Sequence, residues 1–547
     1  MCYNQPMKKE LRSLIQGEVH DDVDFLLPYG NDASIFEVIP ELVVIPNDTA
    51  DLSAIVNFVN EKKDEFPDLS ITPRAAGTGM SGESLTSSIV IDMAKFNHVH
   101  EIGNDYAITE PGVYYRDLET AVAKKGLLLP SYTASKKLCT VGGMVANNSS
   151  GEKTLSYGPT ARYVKELTML LSNGNEYLFR SLTKDELEKK MSTKDFIGDI
   201  YKNIYNLLEK NYDFIQSKKP HVSKNAAGYA LWNVWDRTTF DLTQLFTGSE
   251  GTLGIITKIK FNLIRPKPCS ELLVIFLDDL SSLGDIVQAI LPHKPESFES
   301  YDDRTLDLAR QFLPEIAEKF NESSLKAKIV LLAEFTGDTE EEAVLKAQNA
   351  NKYLQTTLLH SHELRRGEAN YKLQTTTITR DREDADRYWT VRRESFNLLR
   401  HHSGHQRTAP IIEDIIVAPE HLPEFLPKLY AILDSYNLIY TIAGHIGNGN
   451  LHIMPLMDFR EAKIRDIAIE LCNKVFDLVF AYNGSMSAEH NDGIMRTPFL
   501  KRMYGAEMVT LFEETKKIFD PKNIFNPGKK VFGKDLTFIK EHIDRIY

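Results

Sequence analysis

The stretch Arg74-Ala75-Ala76-Gly77-Thr78-Gly79-Met80-Ser81-Gly82 carries a G-x-G-x-x-G that runs into a strand rather than a helix. A dinucleotide fingerprint of the Rossmann type has to open a helix, whose N-terminus receives the pyrophosphate. Here Ser84 to Met93 reads as a turn and then an apolar strand, so that fold is excluded. Two explanations remain: a loop whose backbone N–H groups converge on a pyrophosphate without a helix, or a plain tight turn. Two more small-residue stretches lie in the same half of the chain. One is Val141-Gly142-Gly143-Met144-Val145-Ala146-Asn147-Asn148-Ser149-Ser150-Gly151, followed by Ser156-Tyr157-Gly158-Pro159. The other is Gly248-Ser249-Glu250-Gly251-Thr252-Leu253-Gly254-Ile255-Ile256-Thr257. Glycine lets a backbone approach a flat ligand closely, and three such stretches predict a large, extended, phosphate-bearing ligand.

The elements around these loops alternate. Residues up to about 36 read as a helical lead-in. The apolar run Leu42 to Pro46, the cap residues Asn47-Asp48-Thr49 and then Ile55, Val56 and Val59 at helical spacing predict a strand and a helix. Ile71 to Arg74, Ser88 to Met93 and Asp105 to Pro111 predict further strands, and Arg116 to Lys125 a helix closed by Gly126. Ser172-Asn173-Gly174-Asn175 predicts a hairpin between 167–171 and 176–179. Residues 184–217 read as helical and Leu253 to Ile264 as a strand. Arg265-Pro266-Lys267-Pro268 then marks a boundary. Beyond it, strands are expected at 272–276, 328–335, 411–417, 438–443 and 451–457. Helices are expected at 338–354, 382–402, 420–436 and 460–482. No internal repeat is present.

Charge and cysteine usage narrow the class. Lys plus Arg is 64 and Asp plus Glu 77, a formal net charge of −13, which disfavours general nucleic-acid binding because phosphate neutralisation needs a basic surface. Cys2, Cys139, Cys269 and Cys472 are far apart, so neither a disulfide framework nor a cysteine-ligated cluster is expected. No secretory h-region and no apolar run of about eighteen residues occurs, so no membrane span is expected. The expected location is cytoplasmic, with peripheral contact at the inner face of a membrane left open.

Together the three glycine stretches carry a family resemblance. From about residue 37 to 530 the chain resembles FAD-linked oxidases and dehydrogenases of the vanillyl-alcohol-oxidase/p-cresol-methylhydroxylase-type flavin fold, in the D-lactate, glycolate and D-2-hydroxyglutarate dehydrogenase branch. The resemblance implies an α+β protein. It divides into a helical lead-in (1–36), an FAD-binding domain of p-cresol-methylhydroxylase type (37–268), an antiparallel, ferredoxin-like cap with substrate and metal site (269–500) and a C-terminal segment returning to the FAD domain (501–547). It assigns cofactor contacts to Arg74, Ala75, Ala76, Gly77, Thr78, Gly79, Met80 and Ser81 in the pyrophosphate loop. In the second loop it assigns them to Thr140, Gly142, Gly143, Asn147, Asn148, Gly151, Tyr157 and Gly158. In the isoalloxazine-side loop they fall to Glu250, Gly251, Gly254, Ile255 and Ile256, and near the C-terminus to Asn526. Ala75-Ala76 departs from the family, which usually has glycines there. Covalently flavinylated relatives place a histidine beside the first loop; residues 71–87 have none, so non-covalent FAD is implied.

In the second half, Gly444-His445-Ile446-Gly447-Asn448-Gly449-Asn450-Leu451-His452 sets two histidines either side of a glycine turn. On their own these are either surface residues or two ligands for one cation. Glu489-His490 follows a long helix. The resemblance assigns a divalent zinc or manganese ion to His445, His452 and Glu489, and the base to His490, with Asn450 bonding the substrate hydroxyl. Asn448 stands where the family has Asp, which keeps the turn and loses a charge. Trp389-Thr390-Val391-Arg392-Arg393-Glu394 lies on the charged helix. By itself it reads as a solvated face or a carboxylate clamp, and the resemblance assigns Arg392 to the substrate carboxylate. Ile412-Glu413-Asp414-Ile415 matches a family strand without a clear chemical role. Arg407 is the stand-in for a lysine that some relatives use on a second carboxylate.

The activity implied is oxidation of a D-2-hydroxy acid, of the D-lactate or D-2-hydroxyglutarate class, to the 2-keto acid by hydride transfer to flavin N5. Rival readings are a non-redox flavoenzyme like alkyl-dihydroxyacetone-phosphate synthase and a flavin-binding electron-transfer subunit. Residues 489–530 resemble the flavin portion of larger FAD/iron–sulfur dehydrogenases. The four scattered cysteines cannot ligate a cluster, so a separate acceptor is expected: an iron–sulfur subunit, an electron-transfer flavoprotein or a quinone. A homodimer is compatible with this reading.

Overall fold

Asp48 starts helix Thr49–Lys62 as its sequence requires: its carboxylate accepts from the backbone N–H of Ala50 at 2.9 Å and Asp51 at 3.1 Å. Helix Thr49–Lys62 then buries Leu52, Ile55, Val56 and Val59. It connects strand Leu42–Ile45 to Ile71–Arg74, and both pair in parallel with Ile89–Asp92. The computed structural model describes residues 5–318, 320, 327–364, 375–401 and 405–544. The ends of the expected lead-in (1–4) and C-terminal segment (545–547), and residue 402 of the charged helix, lie outside the described residues. The lead-in is not wholly helical. After helix Gln5–Leu14, Glu18–His20 forms an edge strand antiparallel to Leu42–Ile45.

A second sheet orders Val99–Ile102, Tyr106–Thr109, Ile255–Asn262, Val164–Leu170 and Glu176–Arg180, all antiparallel. The expected hairpin is there, with Leu170 opposite Glu176 and Gly174 in the left-handed region that its turn demands. Helices Lys184–Met191, Phe196–Lys210 and Tyr212–Ser217 follow.

Across Arg265–Pro268 the chain leaves this sheet for an eight-stranded antiparallel one. Its order is Thr375–Ile378, Cys269–Leu277, Ile329–Gly337, Ser297–Asp302, Tyr440–His445, Asn450–Met457 and Arg407–Thr408, with Ile415–Ile416 also paired to Asn450–Met457. The expected strand at 411–417 shrinks to those two residues, because 410–414 turn inward and bury Glu413 and Asp414. Glu340–Leu364 packs on strands Cys269–Leu277 and Ile329–Gly337, Arg382–His401 on Ser297–Asp302 and Tyr440–His445, and Leu422–Asp434 on helix Ala462–Ala481. One apolar cluster runs through both halves, from Ile35 to Ile543.

After helix Ala506–Phe519 the chain returns to the first sheet. The Ile71 N–H donates to Ile524 O and the Asn526 N–H to Ile71 O, both at 2.8 Å. No helix among the described residues is long and apolar enough to cross a membrane.

Candidate active site

The first glycine loop stays non-helical from Ala75 to Ser88, as expected. Its left-handed positions are Gly77 and Gly82, at φ +64° and +80°. Ala75 and Ala76 are not among the positive-φ residues, so alanine is tolerated where the family has glycine. Arg74 turns back beneath the loop, donating to Asn31 O at 2.7 Å and Tyr29 O at 3.3 Å. The second stretch differs from its reading as a loop: Val141–Asn147 is a short helix ended by Asn148 at φ 53°. A Cβ on Gly142 would lie 2.3 Å from Pro111 Cβ, so close chain packing explains that glycine. The Tyr157 hydroxyl points to Glu296 of the cap at 3.0 Å. In the third stretch Ile255 and Ile256 begin the long strand, behind Gly251 and Gly254 at φ +67° and +152°.

These loops suit an extended polar ligand. The buried Thr140 Oγ1, Asn147 Oδ1 and Glu250 Oε2 have no hydrogen-bond partner, an arrangement that proteins rarely leave unfilled. Burial foremost, then neighbouring carboxylates, raises Glu83 to about 8; burial foremost raises Glu250 to about 7. At neutral pH Glu83 is therefore mostly protonated and Glu250 about half so, which weakens their opposition to a pyrophosphate. Asn526 ties the region together, donating to Glu83 O at 2.9 Å and Glu250 O at 2.7 Å.

All three stretches meet the cap at one segment, Glu489–Gly493. Ser81 Oγ donates to His490 O at 3.2 Å. Asn147 Nδ2 donates to Glu489 O at 2.8 Å, and Ser150 Oγ to Glu489 Oε2 at 2.5 Å. Gly248 O accepts from Asn491 Nδ2 at 3.0 Å, and Glu250 Oε1 from the N–H groups of Asp492 and Gly493 at 3.0 and 2.8 Å.

The three expected metal ligands come together, all buried. His445 Nε2 and His452 Nε2 converge on Glu489 Oε1, at 3.0 and 3.2 Å. His452 Nδ1 lies 2.9 Å from Glu413 O, which requires its proton there and leaves a bare lone pair on Nε2. Burial foremost lowers the pKa of His452 and keeps it neutral. Two electron-pair donors thus face each other, an arrangement that a cation satisfies. His445 Nδ1 lies 2.6 Å from Glu299 Oε1. Burial opposes charge on His445, but Glu299, with Glu489, outweighs it and raises the pKa. A second set, Asp414, His452, Glu489 and His490, also has ligand atoms within 4.8 Å of one another. In it Asp414 is already engaged: Oδ2 accepts from Ser487 Oγ, Glu489 N and His490 N at 2.9, 2.8 and 2.7 Å. The set with His445 therefore fits a cation better.

His490 Nδ1 lies 3.1 Å from Glu413 Oε1. Burial works against its charge, yet Asp414 and Glu413 prevail and hold it at about 9. Glu413 itself takes Arg496, and neither side chain is exposed. Asn450 Nδ2 donates to Ile415 O at 3.0 Å, and its buried Oδ1 has no partner. Arg392 pairs with Glu299 at 2.8 Å and keeps a buried Nε without a hydrogen bond. The ion pair is out of line for a hydrogen bond, since Glu299 Oε2 makes none. Asn448 is tied to Ser223 Oγ at 2.9 Å. Arg407 does not stand in at the site: it pairs with Asp544 at 2.8 Å and Ser34 O at 2.9 Å. Glu299, Lys224 and Arg496 carry no local signal of this role, and Ser150 stands in the second glycine stretch without an expected partner.

Comparison with known proteins adds two families. The FAD binding domain matches residues 40–177, and the C-terminal domain of FAD linked oxidases matches 268–530. The chain is 28% identical to D-2-hydroxyglutarate dehydrogenase of Pseudomonas putida over 94% of its length and 50% of that protein's. It thus spans about half the length of the curated relatives it first matches. It is 26% identical to D-lactate dehydrogenase of Anaerostipes hadrus, covering 95% of this chain and 94% of the relative. Its fold is similar to that of p-cresol methylhydroxylase with substrate bound, with a TM-score of 0.67, 15% identity and 97% of each chain covered.

Proposed function

We propose that this chain, which belongs to the FAD-linked oxidases through its two matched domains, oxidises a D-2-hydroxy acid of the D-lactate or D-2-hydroxyglutarate class to the 2-keto acid. The observation that carries this reading is the meeting of all three glycine stretches with the segment that supplies Glu489 and His490. Cofactor and substrate chemistry then share one buried centre. The cap sheet forms a ferredoxin-like lid over it in this reading. A bound FAD would supply the hydride acceptor, and a zinc or manganese ion, which His445, His452 and Glu489 would hold, would lower the pKa of the substrate hydroxyl.

The chain's own groups do the rest. Arg392 pairs with the substrate carboxylate through its unsatisfied donor edge. Asn450 offers Oδ1 to the hydroxyl. His490, whose positive charge a cation beside Glu489 would oppose, would take the hydroxyl proton on Nε2 once that nitrogen is bare, with Nδ1 held by Glu413. Asp414 fixes the backbone of both Glu489 and His490. FAD is held without a covalent bond, and the electrons pass on to a separate acceptor: an iron–sulfur subunit, an electron-transfer flavoprotein or a quinone.

The names and coverage of the two relatives support hydroxy-acid oxidation. The test is anaerobic mixing of the yellow protein with D- and L-lactate and with D- and L-2-hydroxyglutarate. A D-acid is expected to bleach the flavin and yield the keto acid, and the L-acids to leave it oxidised. A flavin that none of them bleaches overturns the proposal.

A further inference from the structure

Glu489 has two oxygens with different surroundings. Oε1 faces His445 and His452. Oε2 is held from the other half of the protein, by Ser150 Oγ and by Lys224 Nζ, each at 2.5 Å. Lys224 also lies 3.4 Å from that hydroxyl, and its side chain is 0% exposed. The segment carrying it is stitched to the cap. Ser223 Oγ meets Asn448, Asn225 Oδ1 accepts from Ser485 Oγ at 2.6 Å, and the Ala226 N–H donates to Ser487 O at 3.0 Å.

A buried lysine–glutamate pair adds little stability, since apolar side chains of similar volume commonly replace such pairs without loss. Its persistence here fits a different requirement. Four buried carboxylates crowd the centre. Glu299 has Arg392, Glu413 has Arg496, and Asp414 has backbone and hydroxyl donors. Lys224 is the cation set against Glu489. Occupying Oε2 leaves one oxygen free to ligate and prevents a two-oxygen grip on the ion.

We propose that Lys224 is a positioning residue that pins Oε2 of Glu489, so that Oε1 alone is offered to a divalent ion beside His445 and His452, and that this sets the affinity of the site. The proposal rests on the metal reading above. Partners that orient metal ligands typically control affinity by about 10–100-fold.

The test titrates Mn(II) into metal-stripped flavoprotein and follows free ion by electron paramagnetic resonance. Lys224→Met is expected to weaken binding by about 10–100-fold. Its flavin spectrum should be unchanged, and excess Mn(II) should restore turnover, which a general packing defect would not allow. Equal Mn(II) affinity in wild type and Lys224→Met overturns the proposal alone. A wild type that binds no Mn(II) overturns the metal reading and the proposal with it. If Lys224→Met fails to accumulate folded, Lys224→Arg decides. A planar guanidinium keeps the charge but not the single-point contact, so affinity should fall, and an unchanged affinity refutes the proposal.

Discussion

Replacing Arg496 with methionine should cost this protein several kilocalories per mole, and the loss should largely reverse when its partner also goes. Arg496 and Glu413 are both 0% exposed. Arg496 bonds Glu413 Oε1, Ser81 Oγ and, at 2.8 Å, Asn491 O. Burial pushes the Glu413 carboxyl upward, but Arg496 first and His490 second bring it below the ordinary value. With Arg496→Met, Glu413 is left in the interior with His490 as its remaining positive partner. Breaking one side of a buried pair in this way costs about 3–5 kcal/mol. Glu413→Leu alone strands Arg496 similarly. The double variant removes both charges, so it should recover at least about 2 kcal/mol relative to the sum of the singles. Urea denaturation followed by flavin release and tryptophan fluorescence measures all corners of the cycle. Single losses below about 1 kcal/mol, or strictly additive ones, would refute the idea that the pair is held by mutual compensation.

Three further outcomes are expected. In metal-free protein the His490 pKa of about 9 lies above the ordinary value of about 6.5, so its stabilisation, on the order of 3 kcal/mol, is complete below that value and lost as pH rises through about 9. Urea midpoints at about pH 6 and about pH 9.5 check the sign, and a more stable protein at the higher pH contradicts it. Arg392→Ala should chiefly raise KM, by about 2–3 kcal/mol in kcat/KM, because a charge-assisted clamp serves ground and transition states alike; steady-state kinetics with the best D-acid would expose an unchanged KM. Asn526→Ala unties the two loops that it bridges and should weaken FAD retention by about 1–3 kcal/mol, read by fluorescence titration of FAD into apoprotein.

What could be read in the sequence was what local pattern encodes. The strand ahead of the first glycine loop, the Asn173-Gly174 hairpin and the His445–His452 turn all stand where their residues predict. What escaped depends on distant partners. Ser297-Phe298-Glu299-Ser300-Tyr301-Asp302 lacks apolar alternation, yet all six residues are buried in the middle of the cap sheet, because Glu299 and Asp302 spend their polarity on His445, Arg392, Thr305 and Ile442. Lys224 and Arg496 look like ordinary surface charges until residues 265 and 83 positions away meet them. The helix Val141–Asn147 was hidden by Gly142-Gly143, of which Gly142 packs on Pro111 and Gly143 lies against Ala75, so that their value is close packing rather than flexibility. The inward turn at 410–414 was masked by the isoleucines within and just after it, Ile411, Ile412, Ile415 and Ile416.

The meeting of three loops on Glu489–Gly493 also dictates when the centre can exist. Its defining contacts join residues 409, 339 and 243 positions apart. Such closures come late, because each must overcome the entropy of a long intervening chain before it gains anything. During synthesis the glycine loops emerge hundreds of residues before the segment that locks them. The proposed centre is therefore the keystone of maturation: neither half possesses it, and it forms only when residues 489–493 have arrived.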